Sequence, residues 1–425
     1  MTTTELENLG IDEYIFKTIT LMYAEDSISK QLKRSENLYK EKYSRPSENI
    51  STYIKDKIHI GYFSADFNDH PVMHLIASLF ELHDKSRFKV YLYSFTPCED
   101  AYTERAKNSG CIFRNIKDFS ELQSVEVARN DKLDIAIDLM GYTKLNRMSI
   151  FSHRVAPIQI SYLGYSGTSG SDVIDYIIAD KISIPSNYEK FYSEKILRMP
   201  NCFLFNDHKM DINDQNLSRK SFNLPDQAFV FACFNPNKKI TSKEYDIWMR
   251  LLKNINESVL WLRKPNKWAM QNLYKETEKR NVDPKRIIFA SKVPLDQHFA
   301  RHKLADLGLD TFNYNGFTTT TDALWAGLPV LTKLGDSFSA RGTASLLSTM
   351  GLNELITFNE NEYEEVAYKL AQNRNELSKI KDKLSKSKVT SPLFNSKLFT
   401  KDLEKLYIKL IQEHTRDSKI MTSIA

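Results

Sequence analysis

No stretch of the 425 residues approaches the roughly 20 consecutive apolar positions that carry a helix across a membrane. The opening stretch, MTTTELENLGIDEYIFKT, also lacks the basic start and apolar core of an export signal. These two absences predict a soluble, cytoplasmic protein. Cysteine is scarce: Cys98, Cys111, Cys202 and Cys233 lie far apart with no C-x-x-C pair, which argues against a disulfide frame or a zinc site and fits reduced thiols. Charge of one sign is not in excess either. Lys and Arg number 59 against 54 Asp and Glu, a formal charge of +5 scattered along the chain, so no nucleic-acid partner is expected. Three signatures are missing as well. Without G-x-G-x-x-G there is no dinucleotide redox fingerprint, without H-E-x-x-H no helical zinc site, and without D-x-D no divalent-metal clamp on a diphosphate. The expectation is no cofactor and no metal.

What is present is a core-building composition, 41% hydrophobic with 12% aromatic residues, in a chain long enough for two domains. Residues 1–56 read as a polar helical segment with an apolar stripe at Ile15, Ile19, Leu21 and Met22. From Ile58 short β-branched and aromatic runs alternate with amphipathic stretches: IHIGYFS, KVYLYSF, DIAIDLM, IQISYLGY and DYIIAD. A second series follows with AFVFACFN, SVLWLRK, RIIFASKV, DLGLDT and LPVLTKL, and helices expected near 243–255, 296–304, 319–326 and 340–350. Such alternation predicts βαβ units on mostly parallel sheets. The expected fold class is therefore α/β with two Rossmann-like lobes and a cleft between them. The expected divisions are a first lobe at 57–205, a polar linker at 206–226, a second lobe at 227–390 and a closing helix within 391–425.

Several turns after strands carry chemistry. NGFTTTTDALWAGLP (315–329) places Thr318 to Thr321 where a helix should begin, and a helix N-terminus with its unpaired N–H groups and positive dipole end suits a phosphate. Asp322 could accept hydrogen bonds from ribose hydroxyls. FNPNKKIT ends another strand with Lys238 and Lys239, and a lysine there can neutralise a departing diphosphate. His298 and Arg301, three apart on one helix face, suit a planar base. In the first lobe, GYFSADFNDHPVMHL carries His70 and His74; Pro71 between them argues against zinc, leaving His70 as an acid, base or donor and His74 as a packing residue. A nucleotide diphosphate without metal or redox chemistry favours sugar transfer from a nucleotide sugar.

The segments GYFSADFNDHPVMHL, DLMGYTKLNR, APIQISYLGYSGTSG, FNPNKKIT, DTFNYNGFTTTTDALWAGLPVLT, SARGTASLLSTMGL and SPLFN, in this order and spacing, resemble the catalytic region of O-GlcNAc transferase-like proteins over about residues 57 to 412. The resemblance implies two facing lobes of the glycosyltransferase B type, the last helix crossing back to the first lobe, and inverting, metal-independent transfer of GlcNAc from UDP-GlcNAc to a protein Ser or Thr hydroxyl. It also implies roles. His70 matches the proton acceptor, Lys239 the lysine on the leaving diphosphate, and His298 and Arg301 the uracil-contacting pair. Pro236, Val293 and Leu295 occupy donor-contact positions, Thr318 and Thr319 match the phosphate-binding threonines, and Asp322 the ribose-binding aspartate. Phe317 stands where many relatives have histidine, Pro236 where animal enzymes have glutamine and Leu295 where they have lysine. The tetratricopeptide superhelix that recruits acceptors in relatives has at most a one- or two-repeat counterpart in residues 1–56. The alternatives are GDP-fucose-dependent O-fucosyl transfer, as in SPINDLY-type relatives, and a catalytically silent nucleotide-sugar-binding protein.

Overall fold

The computed structural model describes residues 18–45, 50, 55–207 and 217–424, with side chains through Thr415. Ile15 of the expected stripe and residues 208–216 of the expected linker lie outside the described residues. By their contacts the described residues divide into two compact units: one holds residues 18–19, 28–45, 50, 55–207 and 394–424, the other residues 20–27 and 217–393.

The first unit is built on β1 (Ile58–Ser64), β2 (Phe88–Ser94), β3 (Ile112–Asn115), β4 (Ile135–Asp138), β5 (Ile158–Ser161), β6 (Tyr176–Ala179) and β7 (Lys195–Arg198). All pair in parallel in the order β3-β2-β1-β4-β5-β6-β7. Each of the five expected strands forms. Two that sequence reading left out, β3 and β7, are the four-residue strands at the sheet edges, where IFRN and KILR lack a long apolar run. Strands covered on both faces, such as β4 with all four residues buried, read instead as unbroken apolar runs.

Helix Ile28–Lys42 lies against the turn at Gly170, whose φ is +62°. A Cβ there would stand 2.3 Å from the Glu36 nitrogen, so only glycine permits the approach. The last helix, Ser396–Ile424, sends Phe399, Leu403, Tyr407 and Leu410 into the same core as Ile60, Ile76 and Phe80. A polar thread fixes it there. The His83 ring, with a fully buried side chain, places Nδ1 2.9 Å from Glu404 Oε1 and Nε2 2.8 Å from the Tyr62 hydroxyl, which lies 3.4 Å from the Tyr407 hydroxyl. Burial lowers the His83 pKa although Glu404 opposes the shift, so the neutral ring donates from Nδ1 to the carboxylate and accepts from Tyr62 at Nε2.

The second unit carries β8 (Phe229–Cys233), β9 (Ser258–Arg263), β10 (Ile287–Ala290), β11 (Leu307–Leu309), β12 (Val330–Lys333) and β13 (Ile356–Thr357), again all parallel, in the order β10-β9-β8-β11-β12-β13. Its five expected strands form, with β11 shortened to three residues. Helices Ser242–Asn254, Leu295–Arg301, Phe317–Ala326 and Gly342–Thr349 stand where they were expected. Helix Lys267–Lys279 was not foreseen: Thr277 is its one buried residue, and its apolar face, Ala269, Met270, Leu273 and Tyr274, is only half-buried. The long pattern EEVAYKLAQNRNELSKIKDKLSK is two helices, Glu360–Gln372 and Arg374–Thr390; Asn373 ends the first and its side chain caps the second by accepting from the Glu376 N–H. In both sheets strand order reverses, between β1 and β4 and between β8 and β11, and ligands of open parallel sheets gather outside the carboxyl ends of strands at such points.

Replacing Glu404 with Ala leaves the buried His83 Nδ1–H without an acceptor and is expected to cost about 2–3 kcal/mol, read as a lowered urea midpoint. An unchanged midpoint would mean that the thread does not hold the last helix.

Candidate functional site

The reversal between β8 and β11 brings two turns together that are some 75 residues apart in sequence. β8 runs into Phe234, Asn235 and Lys239; β11 runs into Asp310, Thr311, Tyr314 and Asn315, then into helix Phe317–Ala326. Asp310 is buried and organises both. Its Oδ1 accepts from the N–H of Thr311 at 2.9 Å, from the N–H of Gly316 at 3.0 Å and from Asn235 Nδ2 at 3.0 Å, while its Oδ2 accepts from Thr332 Oγ1 at 2.9 Å. Asn235 in turn accepts from Thr319 Oγ1 at 2.6 Å. The helix start is thereby bolted to both turns, and no side chain caps it. Helices leave their first N–H groups without intrahelical partners, so this end offers donors and a positive dipole to an anion.

Lys239 supplies a charge at the same place. Its Nζ donates to the Asn315 carbonyl at 2.7 Å and lies 4.2 Å from the centre of the Tyr314 ring. Burial depresses its pKa to about 7, against the pull of Asp310, so this lysine is poised between charged and neutral near physiological pH.

The four threonines have four environments. Thr318 is partly exposed; Thr319 spends its proton on Asn235 and the Gly316 carbonyl; Thr320 bonds Thr343 Oγ1 at 3.0 Å; Thr321 bonds back to the Thr318 carbonyl at 2.8 Å. Phe317 turns its ring edge-on to Tyr314 and Phe338 and covers Gly342, where a Cβ would fall 1.6 Å from a ring carbon. The phenyl ring offers no hydrogen bond; it forms a wall between the starts of two helices.

His298 and Arg301 are neighbours but not equivalent. Arg301 is buried, its Nη1 donating to the Ser291 carbonyl at 2.7 Å, its guanidinium 4.6 Å from the Phe234 ring centre and its Nε without a partner. Its Nη2 donates to His298 Nδ1 at 2.5 Å. An arginine donates only, so Nδ1 is the acceptor and a neutral His298 carries its proton on Nε2, which faces Asp322 Oδ2 at 3.7 Å. Of this pair Arg301 faces inward and holds His298, whose Nε2 edge is turned toward Asp322. His302, behind them, is kept neutral by burial, its pKa near 3. Asp322 is buried with its pKa raised to about 8 by desolvation. Pro236, Val293 and Leu295 are half-buried around these turns, Pro236 opening the short helix Asn237–Lys239 and Leu295 opening helix Leu295–Arg301.

In the first unit His70 caps helix Pro71–Leu82: its Nδ1 accepts from the Val72 N–H at 3.3 Å and lies 3.3 Å from Asp66 Oδ2. Burial, reinforced by His74, lowers the His70 pKa to about 4, and burial raises Asp66 to about 7. His74 pairs with Asp69 at 2.8 Å instead of serving packing alone. Among the described residues no group of three His, Cys, Asp or Glu side chains is placed to hold a metal ion, and no helix is long and apolar enough to cross a membrane. Sequence reading singled out neither Asp310 nor Asn235. The strand-end sequence LDT was the available signal, but its weight comes from partners brought near by the sheet.

With this geometry in view, comparison with known proteins decides the lineage. Residues 18–218 and 212–403 match the pattern of glycosyl transferase family 41. The chain belongs to that family. It is 35% identical over 365 residues, 84% of this chain, to the Arabidopsis thaliana protein described as a probable UDP-N-acetylglucosamine–peptide N-acetylglucosaminyltransferase SEC, and 32% identical over 82% of this chain to the Petunia hybrida SPINDLY protein. These alignments cover 37% and 38% of those proteins, so this family 41 chain spans well under half the length of the curated relatives it matches. A solved O-GlcNAc transferase mutant from Thermobaculum terrenum superposes with a TM-score of 0.87 at 26% identity, covering 94% of this chain and 77% of that one. Two parallel-sheet Rossmann-like units of the glycosyltransferase B type are thus what the family and the fold share.

The raised Asp322 pKa has a sign that can be tested. The native state keeps this proton up to about pH 8, whereas an unfolded Asp loses it near pH 4, so its contribution to stability is full below about 4 and is lost as pH rises to about 8. Asp322→Asn should melt close to wild type at pH 5 and at progressively higher temperature than wild type toward pH 8.5. A gap that does not change with pH would refute the assignment.

Proposed function

We propose that this family 41 chain is an inverting, metal-independent glycosyltransferase that moves GlcNAc from UDP-GlcNAc to Ser or Thr hydroxyls of proteins in the cytoplasm. One observation carries the reading: a partly buried lysine after β8 and an uncapped helix N-terminus after β11 meet where their two turns come together, with a buried carboxylate, Asp322, in the second turn of that helix and an oriented imidazole, His298, facing it. The diphosphate would rest on the first-turn N–H groups of helix Phe317–Ala326 and on Lys239, with Thr318 adding a hydroxyl. Asp322 would accept from the ribose hydroxyls, and the uracil would lie beside the His298 edge that Arg301 fixes. The names of the Arabidopsis relative and the Thermobaculum structure support the same donor.

In the transfer the acceptor oxygen bonds the anomeric carbon as the bond to UDP breaks, and charge grows on the leaving diphosphate. Lys239 stabilises that charge more than the ground state, which is where catalysis gains. The hydroxyl proton goes to a base, and His70 is the candidate. While Asp66 is protonated, Nδ1 of His70 accepts hydrogen bonds and a neutral ring carries its proton on Nε2, which cannot then act as a base. Once Asp66 ionises, Nδ1–H can turn to it and Nε2 becomes an acceptor. No metal is invoked, because the lysine and the helix end supply the positive charge.

The decisive experiment compares nucleotides and a variant. UDP should raise the melting temperature and GDP should not, since a ligand that binds only the folded state stabilises it. Lys239→Ala should lower kcat for transfer to a Ser/Thr peptide by about 100-fold or more while changing UDP affinity far less. Stabilisation by GDP alone favours the fucosyl donor, and no transfer from either sugar nucleotide defeats the enzymatic reading.

The Asp66 argument makes a second prediction. With donor bound, the diphosphate beside Lys239 keeps that lysine charged above pH 7, so the kcat of wild type should rise with pH through the Asp66 group near 7. In Asp66→Asn that rise should disappear and the rate at pH 8 should fall by about ten-fold or more. A rise that survives the substitution would remove Asp66 from the mechanism.

A further inference from the structure

The segment Thr20–Ser27 belongs by its contacts to the second unit, although about 200 residues separate it from β8. Two of its side chains lead to Lys239 by separate routes. Tyr23 is 8% exposed, and its ring packs against Tyr314 at 5.1 Å and 56°. Tyr314 is the ring over which the Lys239 ammonium lies, and Lys238 covers the Tyr23 ring at 4.7 Å. Asn313 Nδ2 fixes the backbone by donating to the Tyr23 carbonyl at 3.1 Å. The second route starts at Asp26, whose carboxylate accepts from the N–H groups of Asp336 and Ser337 at 2.8 and 2.9 Å. Gly335 permits this approach, since a Cβ there would lie 2.3 Å from Asp26 Oδ2. Ser337 bonds Ser339 through their hydroxyls at 2.9 Å, the Ser339 carbonyl accepts from the Asn315 N–H at 2.8 Å, and the Asn315 carbonyl receives Lys239 Nζ.

We propose that Tyr23 and Asp26 are positioning residues for Lys239: Tyr23 backs the aromatic wall on which the ammonium rests, and Asp26 pins the loop that presents its carbonyl acceptor. The proposal rests on the reading of Lys239 as the group on the leaving diphosphate, and it adds two residues that lie outside every motif on which the family resemblance was built. Neither touches the donor in this scheme; both act through Tyr314 and Asn315. The phenol of Tyr23 has no part in the argument, so the ring alone matters.

Lys239 is faced by Asp310 after β11, Cys233 at the end of β8, the adjacent Lys238, and the phenols of Tyr314 and, behind it, Tyr23. Burial is the largest influence on its protonation. Opening the wall admits water and moves the midpoint upward.

The test is competitive lysine acetylation read by mass spectrometry across pH, which reports the protonation of Lys239 whether or not transfer occurs. Wild type should show half-reactivity near pH 7, and Tyr23→Ala and Asp26→Ala should move it upward by on the order of one unit. Tyr23→Phe should restore wild-type behaviour. In the same variants kcat for transfer should fall by about ten-fold with UDP affinity within about three-fold, because the lysine's charge matters most as the diphosphate leaves. If Tyr23→Ala does not fold, Tyr23→Leu keeps bulk without an aromatic face and serves in its place. An unchanged acetylation midpoint in folded Tyr23 and Asp26 variants overturns the proposal. Failure of wild type to bind UDP instead overturns the donor reading, while the acetylation midpoint still judges the link to Lys239.

Discussion

A single buried carboxylate sets the geometry on which the candidate donor site depends. Asp310 leaves β11 with its side chain turned inward, and burial makes its charge costly unless donors surround it. The donors are the N–H groups of Thr311 and Gly316, the amide of Asn235 and the hydroxyl of Thr332. Satisfying that one group turns the chain after β11, aims helix Phe317–Ala326, and couples it to the turn after β8. Lys239 then sits close enough to Asp310 to feel its charge, while its ammonium is held by a neutral carbonyl and an aromatic face instead of by the carboxylate. A direct ion pair would keep the lysine protonated but would also neutralise it toward an incoming anion. Separation keeps its charge available.

The same economy recurs at the other titratable groups. Desolvation pushes Asp322 and Asp66 up and Lys239 and His70 down, so each is held away from the state water would favour. Groups perturbed in this way by burial cluster at functional sites more often than elsewhere, and the fold bears their cost through contacts remote from them. In the first unit the thread from His83 to Glu404 is such a contact, closing the core with the last helix. In the second unit Arg301 is another, spending its bonds on Ser291 and His298 and so fixing which nitrogen of the imidazole carries the proton.

Much of the fold was legible because parallel strands buried on both faces appear as apolar runs, and ten of the thirteen strands among the described residues were read that way. The three others are short strands at or near sheet edges, where half the residues need not be apolar. Helix Lys267–Lys279 was missed because its apolar face, Ala269, Met270, Leu273 and Tyr274, is short and only half-buried, and the break at Asn373 was illegible because one capping side chain, not a change in periodicity, ends one helix and begins the next. At the site, residue types and strand-end positions marked Lys239, His298, Asp322 and the threonine turn. What sequence could not supply was direction: Arg301 was paired with His298 as an equal, yet it faces inward. Asp310, Asn235 and Tyr23 were missed because their importance arises from partners about 75 to 290 residues away, and no local pattern encodes that.

The threonine run illustrates how direction follows from helix geometry. Successive helical residues point about 100° apart, so four identical side chains cannot share one task. Thr321 returns its proton to the backbone, Thr320 ties the helix to the start of Gly342–Thr349, and Thr319 is committed to Asn235. Only Thr318 keeps a hydroxyl uncommitted to these ties. An anion seated here would therefore be held mainly by backbone N–H groups and Lys239, with side-chain hydroxyls in a minor part. Backbone donors do not depend on the side chain they carry, so Phe317 can stand where the family resemblance expects histidine: its N–H remains, and its ring is used against Gly342 and Tyr314 to hold the turn in shape.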